Sequence, residues 1–368
     1  MRGWLGLWFV LAAGCGSVST HSPDAGGGSG AAIGAMCSTD NACTSGHCVD
    51  GVCCNTTCSG TCEACSATKT GGTDGTCAPV TAATDPDNEC AAACSDGALT
   101  NMCDGHGACA QTSCGGYACA SATECGSACA SVGDCTESSF CETTSMTCVK
   151  RLRVALVAGA GSCLDQLTNV YPQAAGLLAA RGHRPELVLD TDIATADKIK
   201  QYDVIITGGP GNSCGKANWA TFDSVIVDYV NNGGGVVAAG WTLYNIGTQA
   251  PNFSMIMPNS GTVYNSAAQT TITPVGNDPI SMGVGAFNAP EFVPYGSTTP
   301  KAGATVIATA GGIPVGESWT VGNGRTVFLA PLYFEDFPTY QNQELTDGTQ
   351  PSAVELLMRA VEWAGKER

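Results

Sequence analysis

Gly233-Gly-Gly-Val-Val-Ala-Ala-Gly-Trp241-Thr-Leu-Tyr-Asn-Ile-Gly247 is the stretch around which the rest of the chain is organised. Three glycines end a helix and let the chain turn. Val236 to Ala239 are small and apolar, as in a strand buried on both faces of a parallel sheet. The strand then meets a sharp turn at Gly240-Trp241. This is the layout of a strand-to-helix elbow at the carboxyl edge of the sheet. In many α/β enzymes such an elbow lifts a Ser or Cys nucleophile. Here the tip reads as Trp241, which has no nucleophilic atom, so the frame of an enzyme is expected without that chemistry.

The flanking sequence extends the pattern. Val154 to Ala158 is a short apolar strand, followed by Gly159-Ala-Gly-Ser162 and a helical stretch from about Leu164 to Arg181. Glu186 to Leu189 reads as a second strand, Ala196 to Tyr202 as a short helix, and Val204 to Thr207 as a third strand. Phe222, Val225, Ile226 and Tyr229 make a helical stripe that leads into the elbow strand. Alternation of this kind predicts a flavodoxin-like, doubly wound, mostly parallel sheet, with its binding crevice at the strand carboxyl ends. Residues 249 to 300 are rich in Pro, Asn and Ser and read as an insertion or lid. Ala304 to Thr309 resumes as a strand, and Gly322-Asn-Gly324 between two apolar runs is a hairpin signature. Ser352 with Glu355 three residues on predicts a capping box for the last helix.

The chain has 368 residues, 15 Lys and Arg against 32 Asp and Glu, and a formal net charge of -17. An acidic chain without a basic run repels phosphate backbones, which excludes nucleic acid as the expected partner. The same charge keeps the chain off anionic membrane surfaces unless it is anchored. The 23 cysteines are clustered: Cys15 stands alone, 20 lie from Cys37 to Cys148, and Cys163 and Cys214 follow. That density points to an oxidising, extracytoplasmic compartment.

Four segments are expected. Residues 1–14, with Arg2 ahead of the apolar run Trp4 to Ala13, read as a signal peptide too short to span a bilayer. Residues 15–35 are Gly, Ser, Ala and Asp without periodicity, a flexible tether. Residues 36–149 hold too few apolar residues for a core, so disulfides must replace it, each closing a loop that contributes about 3 kcal/mol for roughly 15 residues. Cys62-x2-Cys65 has a zinc-like spacing, with His47 and His106 nearby in sequence. No second close pair accompanies it, and no metal site is expected. Residues 151–366 form the α/β domain.

Three resemblances bear on this. Leu11-Ala-Ala-Gly-Cys15 resembles a bacterial lipobox, with Ala12 where the leucine normally stands. It implies lipidation of Cys15, and Gly16 after it implies outer-membrane sorting. Plain secretion with Cys15 removed is the alternative. Cys37 to Cys53 resembles the cysteine-rich modules on surface proteins of deltaproteobacteria, and Cys125 to Cys148 looks like a degenerate second copy. Asp203-Val-Ile-Ile-Thr-Gly-Gly-Pro-Gly211 resembles the oxyanion loop of class I glutamine amidotransferases, with Gly233 to Gly247 where those enzymes carry the nucleophile elbow. Asn277-Asp-Pro-Ile-Ser-Met-Gly283, Pro290-Glu-Phe-Val-Pro-Tyr295 and the Gly324 to Ala330 strand, followed by a terminal helix with Trp363, are more similar to the trehalose-utilisation branch of that superfamily. The resemblance implies a ligand placed over Gly208, Gly209, Pro210 and Gly211.

The departures concern chemistry. Acyl transfer needs a nucleophile beside a base. The late-strand His-x-Glu of the amidotransferases is replaced by Leu332-Tyr-Phe-Glu-Asp336, and the only histidines are His21, His47, His106 and His183. Cys163 and Cys214 both follow strand ends on adjacent loops and read as a disulfide, with a nucleophile or redox pair as the alternative. The expectation is a domain that binds rather than catalyses, with Trp241, Thr242 and Tyr244 at the ligand and a carbohydrate or cell-wall fragment as that ligand. Trp319 and Tyr333 are further aromatics suited to stacking on sugar rings. The alternatives are a hydrolase working through Glu291 and Glu335, with Asp336 a further carboxylate, or a structural adhesion protein. No cofactor is expected, and a membrane is expected only through the lipid anchor.

Overall fold

A computed structural model describes residues 30–159, 171–209, 219–221, 223–260, 265–267, 270–290, 293–297, 299–334, 343–346 and 348–366. By compactness the chain divides into two units. One is Met1–Ala93 with Thr100–Thr112; the other is Cys94–Leu99 with Ser113–Arg368.

The first unit is held by sulfur. Cys37–Cys48, Cys43–Cys53, Cys54–Cys65, Cys58–Cys77, Cys62–Cys103 and Cys90–Cys109 are disulfides. Its buried clusters are mostly cystine: Cys62, Cys90 and Cys103 around Ala64 and Val80, and Cys54 and Cys65 beside Val52. The sulfurs of Cys62 and Cys65 are therefore bonded to other cysteines, and the zinc-like spacing has no free thiolate to offer.

The second unit begins with four more bridges, Cys94–Cys119, Cys114–Cys125, Cys129–Cys141 and Cys135–Cys148. Cys129 to Cys148 repeats the construction of Cys37 to Cys53. Each has a crossed pair of disulfides, a 3-10 turn (Asp40–Ala42 and Val132–Asp134) and a hairpin closed by its last cysteines. The second copy thus starts at Cys129 rather than at Cys125, which pairs backwards to Cys114.

The α/β part holds β1 (Arg153–Ala158), α1 (Tyr171–Ala180), β2 (Arg184–Leu189), α2 (Ala196–Ile199), β3 (Val204–Gly209), α3 (Asp223–Asn231) and β4 (Gly235–Gly240). Then come α4 (Thr242–Gln249), α5 (Pro251–Ile256), β5 (Thr270–Pro274), β6 (Phe287–Ala289), β7 (Thr305–Ala310), β8 (Ile313–Val321), β9 (Gly324–Leu329) and α6 (Pro351–Ala364). One nine-stranded sheet has the order β2-β1-β3-β4-β9-β8-β7-β5-β6. The first five strands are parallel, in the doubly wound order expected from the sequence. The remaining four are antiparallel.

Burial explains the pattern. Every residue of β4, and all of β1 after Arg153, is buried, so these strands are apolar without alternation. Adjacent residues of β9 show why both faces are dry. Arg325 donates to the Trp363 carbonyl of α6 at 2.7 Å, and Thr326 donates to the Ile256 carbonyl at the end of α5 at 2.8 Å. Successive strand residues point to opposite faces, so α6 and α5 cover opposite sides of the sheet. The β8–β9 hairpin turns at Gly322-Asn323, with Gly322 at φ +57° in the first turn position.

Two expectations need correction. Residues 249–300 are not wholly an insertion: Thr270–Pro274 and Phe287–Ala289 extend the main sheet. Only Ile272 of β5 is buried, so its sequence carries little apolar signal. Within the same span, Asn265–Ala267 and Val293–Tyr295 form a separate two-stranded ribbon. The capping box is also absent. Pro351 takes the first helical position of α6, Gln350 is the N-cap, and no side chain caps the helix. Glu355 is drawn away by Arg181 and Arg359.

Candidate functional site

The elbow is formed as the sequence suggested, displaced by one residue. β4 ends at Gly240 with φ +57°, and Trp241 follows at φ -70°, ψ 1° as the N-cap of α4. The left-handed residue of the turn is Gly240, not Trp241. Glycine holds that conformation without the penalty a Cβ brings. The position from which an elbow side chain would rise therefore bears only hydrogen.

Thr242, the first residue of α4, is fully buried. Its Oγ1 lies 2.7 Å from the Ala239 carbonyl and 3.3 Å from the Thr207 carbonyl, so its one proton is committed to backbone at the ends of β4 and β3. It locks the elbow to its neighbouring strand. Leu243 and Ile246 pack inward, and Tyr244, three residues after Trp241, is 38% exposed. Trp241 is half-buried, and its ring meets Tyr244 edge to face, with centroids 6.2 Å apart at 80°. This is a favoured aromatic geometry at an i,i+3 spacing on the helix surface.

The end of β3 is packed rather than open. Gly208 is buried, and a Cβ on it would fall 2.3 Å from the Cβ of Phe334. Phe334 in turn meets the Tyr171 ring at 5.4 Å. The Tyr171 hydroxyl donates to the Val157 carbonyl at 2.8 Å and accepts from the Gly208 amide at 3.2 Å. It ties the ends of β1 and β3 together, and burial pushes its pKa up. Gly209 closes β3. Pro210, Gly211, Cys163, Cys214, Glu291, Glu335 and Asp336 lie outside the described residues.

The structure brings Trp241 and Tyr244 together and separates the other aromatics. Tyr333 is core, its hydroxyl donating to the Ala353 carbonyl at 3.0 Å. Trp319 sits on the antiparallel strand β8 under Lys301, whose ammonium is 5.6 Å from the ring centroid. His183 is structural. It is buried, its Nδ1 accepts from the Leu152 amide at 3.4 Å, and Phe140 meets it edge to face. His106 is exposed and His47 half-buried.

One polar group escaped the sequence reading. Glu317 of β8 is fully buried, and the Asn259 side-chain amide donates to its Oε1 at 2.7 Å. Its Oε2 has no hydrogen-bond partner. Burial pushes the carboxyl up to about 7, against a smaller lowering by Asn259. By register Glu317 is level with Phe328 of β9 and Ala238 of β4, two residues below Gly240. A lone Glu in a strand reads as a solvent-facing residue, so only the structure reveals it.

No family model matches the chain, and no curated protein matches it in sequence. Solved structures do. A putative ThuA-like protein from Bacteroides uniformis is 16% identical, covers 58% of this chain and 91% of its own, and has a TM-score of 0.42. A cytoplasmic protein from Salmonella typhimurium is 14% identical over 58% of this chain and 98% of its own, also with a TM-score of 0.42. An exo-beta-1,4-mannosidase from an Opitutaceae bacterium is 14% identical over 56% of this chain but only 35% of its own, with a TM-score of 0.38. Structures with the ThuA-like name thus occur among those the chain resembles. Function is carried by sites rather than by folds.

Proposed function

We propose that this chain is an extracytoplasmic binding protein, tethered through Cys15, whose α/β domain holds a carbohydrate or cell-wall fragment at the β4 elbow. The observation that carries the reading is the Trp241–Tyr244 pair. It stands partly exposed at the carboxyl edge of the sheet, beside a glycine where an enzyme of this frame needs a nucleophile. Aromatic faces with polar tips suit sugar rings, which present flat apolar C–H surfaces edged by hydroxyls. The ten disulfides among the described residues fit folding in an oxidising compartment. Among the described residues no helix is long and apolar enough to cross a membrane.

The test is binding of the disulfide-intact chain to an array of oligosaccharides and peptidoglycan fragments, with affinities read by titration calorimetry. Trp241→Ala should lose at least about tenfold in affinity, a loss of roughly 1.4 kcal/mol, with an unchanged melting profile. Binding that survives Trp241→Ala and Tyr244→Ala together, or turnover of the bound glycan, overturns it.

A further inference from the structure

Asn259 is a saturated junction. Its Nδ2 donates to Glu317 Oε1 at 2.7 Å and to the Ser297 carbonyl at 2.9 Å. Its Oδ1 accepts from the Ser260 amide at 2.8 Å and the Ser297 amide at 3.0 Å. Two donors and two lone pairs are all a side-chain amide has. One side chain therefore joins three pieces: the segment after α5, the exit of the ribbon strand Val293–Tyr295, and the buried acid of β8. The pieces touch closely, since a Cβ on Gly296 would fall 2.3 Å from the Ser260 carbonyl oxygen. Val293–Tyr295 packs against both β4 and β8, beside the elbow strand.

The junction is not neutral to proton traffic. Glu317 has a single donor, an orphaned second oxygen and no ion-pair partner among the described residues. The charged groups on neighbouring elements are committed elsewhere. Lys301 donates to the Ser254 and Met255 carbonyls, and Arg325 points to the opposite face. Asp223 accepts from Asn252 and the Phe253 amide. Tyr295 is the titratable group on the described ribbon strand Val293–Tyr295 itself. A carboxylate held there is costly, because a buried charge needs compensating partners.

We propose that Glu317, Asn259 and Ser297 form a proton-operated latch. It holds the ribbon Asn265–Ala267/Val293–Tyr295 against β4 and β8 while Glu317 is neutral, and loosens when Glu317 ionises. The raised pKa of Glu317 places the transition near neutrality. The latch stands or falls separately from glycan binding, since no ligand enters its test.

The experiment is amide hydrogen exchange on the full, disulfide-intact chain at about pH 5.5 and about pH 8, corrected for the intrinsic pH dependence. Opening of the segments 257–260 and 293–297 should increase on the order of twentyfold over that interval, because ionisation in the open state outruns ionisation in the closed one. Glu317→Gln should remove the pH dependence. Asn259→Ser should leave both segments open at either pH. Equal protection of the wild type at the two pH values overturns the latch. So does an undiminished pH response in Glu317→Gln, or full protection in Asn259→Ser.

Discussion

Phe334 occupies the space a side chain on Gly208 would need: a Cβ there would lie 2.3 Å from the Phe334 Cβ and 2.7 Å from its Cδ2. The chain leaving β9 is thereby folded back onto the end of β3. The contact is reinforced by Tyr171, whose ring meets Phe334 at a tilt and whose hydroxyl accepts from the Gly208 amide. Gly208→Ala should therefore destabilise the protein by roughly 1–3 kcal/mol, the range for overpacking a close-packed site. Phe334→Ala alone should cost about 3–5 kcal/mol through cavity formation. The double variant should cost clearly less than the sum, because each removes the other's reason for loss. Denaturant midpoints of the four proteins measure this. Strict additivity would show that the two residues do not share the space.

What the sequence made legible follows from burial. Strands covered on both faces must be apolar throughout, so β1, β3 and β4 announced themselves, and the glycines around them marked the turns. β5 did not, because a strand with one buried residue, Ile272, looks like a polar loop even though it pairs on both sides. The sequence puts the elbow tip at Trp241, one residue beyond the left-handed Gly240. Gly240 and Trp241 both fit a turn on paper, and only the backbone angle distinguishes them. Glu317 was invisible for a different reason. Its burial depends on Asn259, 58 residues away, and on a ribbon that no local pattern reveals.

Glu317 also predicts a pH dependence of global stability. Its folded pKa, about 7, lies above the ordinary value of 4.5. Between these values the native state holds a proton the unfolded state has lost, so stability falls as pH rises. The contribution is fully present below about pH 4.5 and is lost progressively through about pH 7, to a total of about 3 kcal/mol. Glu317→Gln should flatten this part of the profile of urea midpoint against pH. A profile in which Glu317→Gln keeps the same downward slope would assign the slope to other groups.

The two disulfide repeats predict a local, not a global, response. Cys129–Cys141 closes a loop with a sequence separation of 12. Replacing both cysteines by serine should lower the stability of that repeat by about 3 kcal/mol. The parallel sheet has its own hydrophobic core, built from residues such as Val154, Ile205, Val237 and Leu329. Limited proteolysis should therefore cut first between residues 129 and 148, with α/β fragments persisting. Simultaneous loss of both would mean that the repeat is needed to fold the sheet.

The start of α6 offers a ranking that separates a surface pattern from a buried constraint. Ser352 makes no capping bond, so Ser352→Ala should change stability by less than about 0.5 kcal/mol. Arg359 pairs with Glu355 at 2.6 Å, a carboxylate that is itself partly exposed, and Arg359→Ala should cost under about 1 kcal/mol. Arg181 differs because it bridges Glu355 and Glu362, and the Glu362 side chain is only 3% exposed. Removing Arg181 takes the guanidinium away from a carboxylate that stays inside, next to His183. Arg181→Ala should cost roughly 3 kcal/mol, the scale for breaking a buried pair by deleting one partner. Thermal unfolding of the three variants tests the order. If Arg181→Ala proved as mild as Arg359→Ala, water would have to reach Glu362, and α6 would sit less tightly on the sheet than its buried face indicates.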